Sequence, residues 1–253
     1  MTKISVVIIT FNEERNIRRC LESVKNIADE IIVLDSFSTD STETICKEYD
    51  VKFFQHKFEN YAQQKNLALN YTTYSHVLSL DADEAVSEKL EKEILEIKNN
   101  WNLKGYYLKR LTNYCGKWIQ HCDWYPDKKL RLWDKTQARW EGEIHEKVVL
   151  PKADTKTLQN DLLHYSFYSI NQHIDQINKF SSIKAQIMLQ KGKKFSYVKM
   201  FGSSFSRFFK TYFLKSGFKD GFYGFVICLF SGFSNLLKYA KLKQLYNQQK
   251  TAK

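Results

Sequence analysis

The stretch His76-Val-Leu-Ser-Leu-Asp-Ala-Asp-Glu84 decides how the chain is read. Val77 to Leu80 form a short, mostly apolar run that ends directly in two aspartates, Asp81 and Asp83. An uninterrupted apolar run this short is the pattern of a strand buried on both faces, as in parallel sheets. Asp81 and Asp83 then stand at the strand's carboxyl end, where open α/β sheets bind their ligands. Two carboxylates there offer hard oxygen ligands to Mg²⁺ or Mn²⁺, ions that usually complete their shell with substrate phosphate. The plainer alternative is an acidic turn that caps the next helix, and the flanking sequence decides between the two.

Upstream, Ile4 to Ile9 reads as a buried strand, followed by the turn Thr10-Phe-Asn-Glu-Glu14 and a helical face of Ile17, Leu21 and Val24. Ile31 to Leu34 is a second strand ending in Asp35. Asp40 followed by Glu43 reads as a helix start with a capping-box acid. Val51 to Phe54 is a third strand, and Ala62 to Leu69 a helix. Strands separated by helices at such short intervals are the mark of a parallel sheet. Downstream, Ser87 caps a helix through Leu90, Ile94 and Ile97. After Gly105 the segments Tyr106–Leu111, Leu130–Trp133 and Ile144–Leu150 read as strands that extend the sheet and wall the site. A helix from Ile170 to Leu189 leads into the tail. The expected class is α/β, a Rossmann-like mixed, mostly parallel sheet flanked by helices. Residues 1–165 form the catalytic domain in this reading, and 166–253 a basic, aromatic, helical C-terminal region.

An apolar content of 43% excludes a disordered chain. The net charge of +11 is unevenly placed. From Lys184 to Lys253 there are 14 basic residues and one acid, Asp220, whereas the rest of the chain is nearly neutral. Such asymmetry points to an anionic partner. The tail interleaves its basic residues with aromatics, and Gly221 to Leu237 holds no charge over 17 residues. That is short of the roughly 20 apolar residues of a spanning helix, and a re-entrant or interfacial helix pair at an anionic membrane surface fits better. Nucleic acid is excluded as partner, because so many contiguous large apolar residues do not suit its wet, polar interface. The five cysteines, Cys20, Cys46, Cys115, Cys122 and Cys228, form no CxxC pair, and no secretory signal opens the chain. Free thiols in a reducing compartment are expected.

Taken together, Thr10-Phe-Asn-Glu13 after strand one, Asp35 after strand two, Lys65-Asn66 on a helix and Leu80-Asp-Ala-Asp-Glu84 resemble glycosyltransferase family 2. The resemblance covers residues 3 to about 150 and implies the GT-A fold, with inverting transfer from a nucleotide-diphosphate sugar. More narrowly, Asn113-Tyr-Cys-Gly-Lys-Trp118, Leu130-Arg-Leu-Trp133, Ile144-His-Glu146 and Phe218-Lys-Asp-Gly-Phe-Tyr-Gly-Phe225 resemble the lipopolysaccharide core β-1,4-glucosyltransferases of the WaaE/KdtX type.

The family pattern implies that Phe11 and the backbone around Glu13 pack on the nucleobase, that Asp35 hydrogen-bonds the uracil, and that Lys65 approaches the nucleotide. It places Asp81 on the ribose or the metal, and Asp83 on Mg²⁺ or Mn²⁺ directly. His164 completes the metal sphere or touches the diphosphate, or else is a satisfied core histidine. An inverting transfer needs a base for the acceptor hydroxyl. Glu141, Glu143 and Glu146 are the carboxylates available on the acceptor side. Glu146, beside His145, is favoured by the narrower resemblance, and Glu141 remains a competitor, because strand alternation puts Glu146 and His145 on opposite faces. Arg131 and Lys129 meet either an anionic acceptor or solvent. Gln137-Ala-Arg-Trp140 is one residue short of the Gln-x-x-Arg-Trp of processive synthases and is set aside.

The expected function is therefore metal-dependent transfer of a hexose, glucose by resemblance, from a UDP-sugar donor to a lipid-linked saccharide acceptor. The acceptor is a lipopolysaccharide inner core, or alternatively a polyprenyl-linked or capsular glycan. The expected location is the cytoplasmic face of the inner membrane, peripheral or monotopic. A nucleotidyltransferase would show a Gly-rich basic loop after strand one, which Thr10-Phe-Asn-Glu-Glu14 lacks. A non-catalytic membrane-docked binding protein is the remaining alternative, and the intact acids argue against it.

Overall fold

The computed structural model describes residues 1–142 and 146–251. The chain divides into two compact units, residues 1–111 with 126–165 and residues 112–125 with 166–253. In chain order the first elements are β1 (Ile4–Thr10), α1 (Ile17–Val24), β2 (Glu30–Asp35), α2 (Thr42–Cys46), β3 (Lys52–Gln55), α3 (Tyr61–Asn70), β4 (His76–Asp81), β5 (Glu84–Val86) and α4 (Glu88–Asn99). They are followed by β6 (Gly105–Tyr114), β7 (Lys117–Ile119), β8 (Asp127–Asp134), β9 (Trp140–Glu141), β10 (Lys147–Val148) and β11 (Thr155–Phe167). Three long helices end the chain, α5 (Ile170–Gln190), α6 (Tyr197–Phe209) and α7 (Gly221–Thr251).

The main sheet runs β3-β2-β1-β4-β8-β6-β11-β5. β3, β2, β1 and β4 are parallel, and β8 turns antiparallel to β4. The apolar runs that predicted β1, β2 and β4 are buried because helices cover both faces, and Val6, Ile8, Val33, Leu78 and Leu80 lie in one core cluster. α1 turns Ile17, Cys20, Leu21 and Val24 inward, at the i, i+3, i+4, i+7 spacing of one helical face. Register does the work that matters for function. Thr10 pairs with Asp35, and Ile9 with Asp81, so the carboxyl ends of β1, β2 and β4 form one edge.

Three expectations change. The helix expected at Asp40 starts at Thr42, because Asp40 accepts hydrogen bonds from the Thr42 backbone N–H and from the Glu14 N–H at 3.0 Å each and so ties down the β1 turn. Glu43 pairs outward with Lys47 at 2.7 Å instead of closing a capping box. The strand expected over Ile144–Leu150 is reduced to β10, which finds only the two-residue β9 to pair with, and residues 143–145 lie outside the described residues. β11 was not expected, because only Leu158, Leu162 and Phe167 of its thirteen residues are buried, too few to show an alternation.

The second unit includes the hairpin 112–125, which the reading from sequence had placed with the catalytic domain. The end of β6 turns into β7 through Cys115 and Gly116, both at positive φ, the two-residue turn that matches strand twist. Asn113 Oδ1 accepts from the Gly116 N–H at 2.9 Å. The buried Asp220 holds this hairpin, accepting from the His121 N–H at 2.9 Å and lying 3.0 Å from His121 Nδ1. A Cβ on Gly224 would collide with the Gly217 carbonyl, so the start of α7 needs glycine there. The Phe218–Phe225 motif thus has a structural job. Tyr114 is fully buried, and its hydroxyl lies 3.0 Å from His173 Nδ1. Trp124, Phe167 and Phe230 pack around the same imidazole. Lys241 Nζ donates to Asn178 O and Oδ1 at 2.7 and 2.6 Å, joining α7 to α5. All five cysteines are free thiols.

Candidate active site

At the edge formed by β1 and β2, Asn12 and Phe37 adopt positive φ, and their loops lock together. The Asn12 N–H donates to Ser38 Oγ at 2.8 Å, and Asn12 Oδ1 accepts from the Thr39 N–H at 2.8 Å. This leaves Phe11 and Phe37 exposed at 57% and 53%, two rings open to stacking. Phe37 had no signal in the sequence, since its exposure follows from the loop conformation. Asp35 was expected to hydrogen-bond the base. The structure buries it completely, and its oxygens accept from the Ser38 N–H at 2.8 Å, from Ser38 Oγ and from Gln55 Nε2 at 3.3 Å. Its carboxylate shapes the loop that carries Phe37.

Asp81 ends β4 within a network of ions. Lys65 Nζ lies 2.9 Å from Asp81 Oδ1 and 3.0 Å from Glu146 Oε1. Arg131 Nη2 lies 2.5 Å from Asp81 Oδ2 and 2.7 Å from Glu84 Oε1. Arg110 continues the chain to Glu84 at 3.4 Å and to Asp127 at 2.6 Å. Glu84 also accepts the Asp81 backbone N–H at 3.0 Å, so it positions the aspartate as well as the arginine. Lys65 and Arg131 are 1% and 3% exposed, which removes the alternative of solvated helix and strand faces. Burial disfavours the Asp81 carboxylate, but Arg131 and Lys65 outweigh it and hold Asp81 well below the usual carboxylate range. Burial likewise works against the Arg131 charge, and Asp81 and Glu84 reverse the effect.

Local backbone explains how Arg131 gets there. Tyr106 pairs with Leu132 and Tyr107 with Leu130, so Arg131 is the extra residue of a β-bulge, a device that re-aims a side chain. Trp140 completes the arrangement, with Lys65 Nζ 4.4 Å and Arg131 Cζ 5.7 Å from its ring centroid. Asn66 clamps the Trp140 backbone with two hydrogen bonds, at 2.8 and 3.0 Å. The Lys65-Asn66 pair therefore serves the site twice. Trp140 was missed because the Gln137–Trp140 motif was set aside.

Of the candidate bases, the structure brings Glu146 to Asp81 and leaves Glu141 exposed on β9, opposite Lys147. Glu143 and His145 lie outside the described residues. On the other side of Asp81, Asp83 Oδ2 lies 3.2 Å from His164 Nε2. β11 brings His164 there by pairing it with Glu84, and the Tyr165 N–H donates to the Asp83 carbonyl at 2.9 Å. Two ligands at right angles on an ion with bonds of about 2.1 Å stand about 3 Å apart, so a carboxylate and an imidazole at this separation suit Mg²⁺ or Mn²⁺. Asp81 fits that role less well, because its oxygens are taken by Lys65 and Arg131. No group of three or more potential metal ligands occurs among the described residues, so a divalent ion here would take most of its shell from substrate and water. Glu13 lies near these acids. Burial pushes its carboxyl up to about 7, the Asn16 side-chain amide opposes the rise, and Asp83, Asp40 and Asp81 add to it.

A cavity of about 470 Å³ opens beside the network. Asp81, Arg131, Trp140 and Glu146 line it, and so do Lys128, Lys129 and Lys147. A strand-end carboxylate, a candidate base and a basic wall therefore face one space.

Residues 5–142 match the family model of glycosyl transferase family 2. The chain belongs to this family. An uncharacterised glycosyltransferase of Rickettsia typhi is 35% identical over 257 aligned positions, covering 97% of this chain and 88% of the relative. The lipopolysaccharide core biosynthesis glycosyltransferase LpsC of Rhizobium meliloti is 26% identical, over 95% of this chain and 92% of LpsC. The crystal structure of S. aureus TarS 1–349 in complex with UDP-GlcNAc aligns with 98% of this chain and 92% of its own, at 14% identity and a TM-score of 0.48. The protein is a family 2 glycosyltransferase of GT-A fold, a mixed, mostly parallel sheet flanked by helices.

Proposed function

We propose that this glycosyltransferase transfers a hexose, glucose in this reading, with inversion at the anomeric carbon and loss of UDP, from a UDP-sugar onto a lipopolysaccharide inner-core saccharide at the cytoplasmic face of the inner membrane. One observation carries the catalytic part. A single buried ammonium, Lys65, spans Asp81 at the nucleotide edge and Glu146 on the cavity side, at 2.9 and 3.0 Å. Phe11 and Phe37 stack on the base. Asp81, kept ionised, receives the ribose. Glu146, fixed by Lys65, takes the proton of the acceptor hydroxyl as that oxygen attacks the anomeric carbon. Asp83 and His164 would hold Mg²⁺ or Mn²⁺, and when bound the ion neutralises the diphosphate and improves it as a leaving group.

The membrane part rests on the second unit. Phe201, Phe205, Phe209 and Phe213 are all exposed and follow one another at intervals of four, one stripe of a helical surface. Phe222, Phe225, Leu229 and Phe233 form a second exposed stripe on α7, and Phe218 is exposed in the turn before it. Lys199, Lys210, Lys215 and Lys219 accompany them, the composition of a helix lying at an anionic leaflet. Among the described residues one helical segment, Gly217–Lys250, which is the turn before α7 together with nearly all of α7, is long and apolar enough to cross a membrane by length and composition. LpsC, similar over nearly the whole chain, supports the lipopolysaccharide acceptor.

The test is UDP release by the full chain in mild detergent, with a panel of UDP-sugars, Mn²⁺ or Mg²⁺ and a truncated lipopolysaccharide. One donor should give metal-dependent release that Glu146→Gln lowers by about 10²–10⁴-fold. Release that survives both Glu146→Gln and Asp83→Asn would sink the catalytic assignment. Transfer only to a polyprenyl-linked or capsular glycan would sink the acceptor.

A further inference from the structure

The cavity wall holds more positive charge than its neighbours neutralise. Arg131 is matched by Asp81 and Glu84, and Lys65 by Asp81 and Glu146. Asp127 is shared between Arg110 at 2.6 Å and Lys129 at 3.2 Å. Among the described residues Lys128 and Lys147 make no salt bridge within 4 Å, Lys147 facing only the exposed Glu141 across β9 and β10, and both line the cavity.

Sheet order decides which substrate meets this wall. β8, which carries Lys128 and Lys129, lies on the far side of β4 from β1, β2 and β3. Phe11 and Phe37 follow β1 and β2, so the donor nucleotide occupies the opposite side of Asp81 from the basic wall. Glu146, the base for the incoming hydroxyl, lines the cavity together with the lysines. We infer that the acceptor is anionic, and that a phosphate or carboxylate substituent close to the attacking hydroxyl is seated on Lys128, Lys129 and Lys147. This rests on the transferase reading and adds a specificity determinant to it. A neutral saccharide would leave the wall unpaired, whereas an anionic one gains charge-assisted hydrogen bonds.

The experiment uses the full chain and one truncated lipopolysaccharide in three forms: intact, dephosphorylated and carboxyl-reduced. For the wild type, kcat/KM for the acceptor should fall about tenfold or more on the form that lacks the seated group, which also tells phosphate from carboxylate. The triple variant Lys128→Gln, Lys129→Gln, Lys147→Gln should raise the acceptor KM about tenfold on the intact form and add little on the form lacking that group, while the donor KM moves less than twofold. An unchanged thermal midpoint shows that the variant is folded. Equal use of all three forms by the wild type overturns the inference alone, as does an equal loss by the variant on every form. Absence of transfer to any form overturns the transferase reading, and this inference with it.

Discussion

Around Asp81 in the first unit the buried polar groups are charged and paired. Lys65, Asp81, Arg131 and Glu84 neutralise one another, whereas the buried Asp35 is held by Ser38 and Gln55 and burial raises Glu13. In the second unit the polar group at the centre of the packing is uncharged. His173 sits among Tyr114, Trp124, Phe167 and Phe230, and burial pushes its imidazole down to about 4. The contrast follows from what each unit has to do. A glycosyltransferase site needs charges held in place, and each buried charge then requires a partner. Around His173 the second unit is packed with aromatic rings, and there a buried histidine is cheapest when neutral.

Removing a charge from the first unit should produce the largest effect. Arg131→Leu leaves Glu84 and Asp81 underpaired and should lower stability by about 3–5 kcal/mol, read as a shift of the urea midpoint. A shift below about 1 kcal/mol would mean that the network is screened by solvent, and the contrast between the units would fail. Acid should act on the second unit. The folded His173 binds its proton more weakly than the unfolded chain, whose imidazole titrates near 6.5, so its contribution is complete above that pH and is lost as pH falls toward about 4. Between pH 7 and 5 the loss should be about 2 kcal/mol, and His173→Phe should flatten that part of the profile.

Glu13 should respond in the opposite direction. Its folded carboxyl holds a proton up to about 7 against an ordinary 4.5, so stability falls as pH rises between those values. Glu13→Gln should therefore stabilise the protein at pH 8 by about 1–2 kcal/mol, after allowance for partial exposure, and change it little at pH 4. Thermal melts of the variant at the two pH values check this. The smallest effect should come from Tyr114→Phe, which keeps the ring and removes only the hydroxyl that meets His173 Nδ1. A loss of about 1 kcal/mol in chemical denaturation is expected. A loss above about 3 kcal/mol would show that the second unit, too, depends on its polar contacts.

Much of the fold could be read in the chain because its signals are local. Ile4–Ile9, Ile31–Leu34 and Val77–Leu80 are apolar runs whose burial needs no knowledge of partners, and β1, β2 and β4 lie where those runs stand. Asp81 and Asp83 were visible for the same reason. β11 was not, because only Leu158, Leu162 and Phe167 of its thirteen residues are buried, too few to show an alternation, and with it went the means of bringing His164 to Asp83. The network around Asp81 was hidden by distance along the chain. Lys65 and Glu146 stand 81 positions apart, and Arg131 and Asp81 50 apart. Glu84, the hub between Arg131 and the Asp81 backbone, was read only as part of a motif.

The sequence alone determined the alternation of strands and helices, the place of the acids at a strand end, the family resemblance and the basic, aromatic character of the tail. These follow from periodicity and composition over a few residues, where side-chain type and backbone preference suffice. Tertiary structure decided which charges meet. The bulge at Arg131 turns its guanidinium toward Asp81, sheet order sets the basic wall on the side of Asp81 away from Phe11, and Lys65 becomes a buried bridge instead of a surface cation. An ion pair forms where three-dimensional distance and low exposure make the charges strong, and neither quantity is written in the order of the residues.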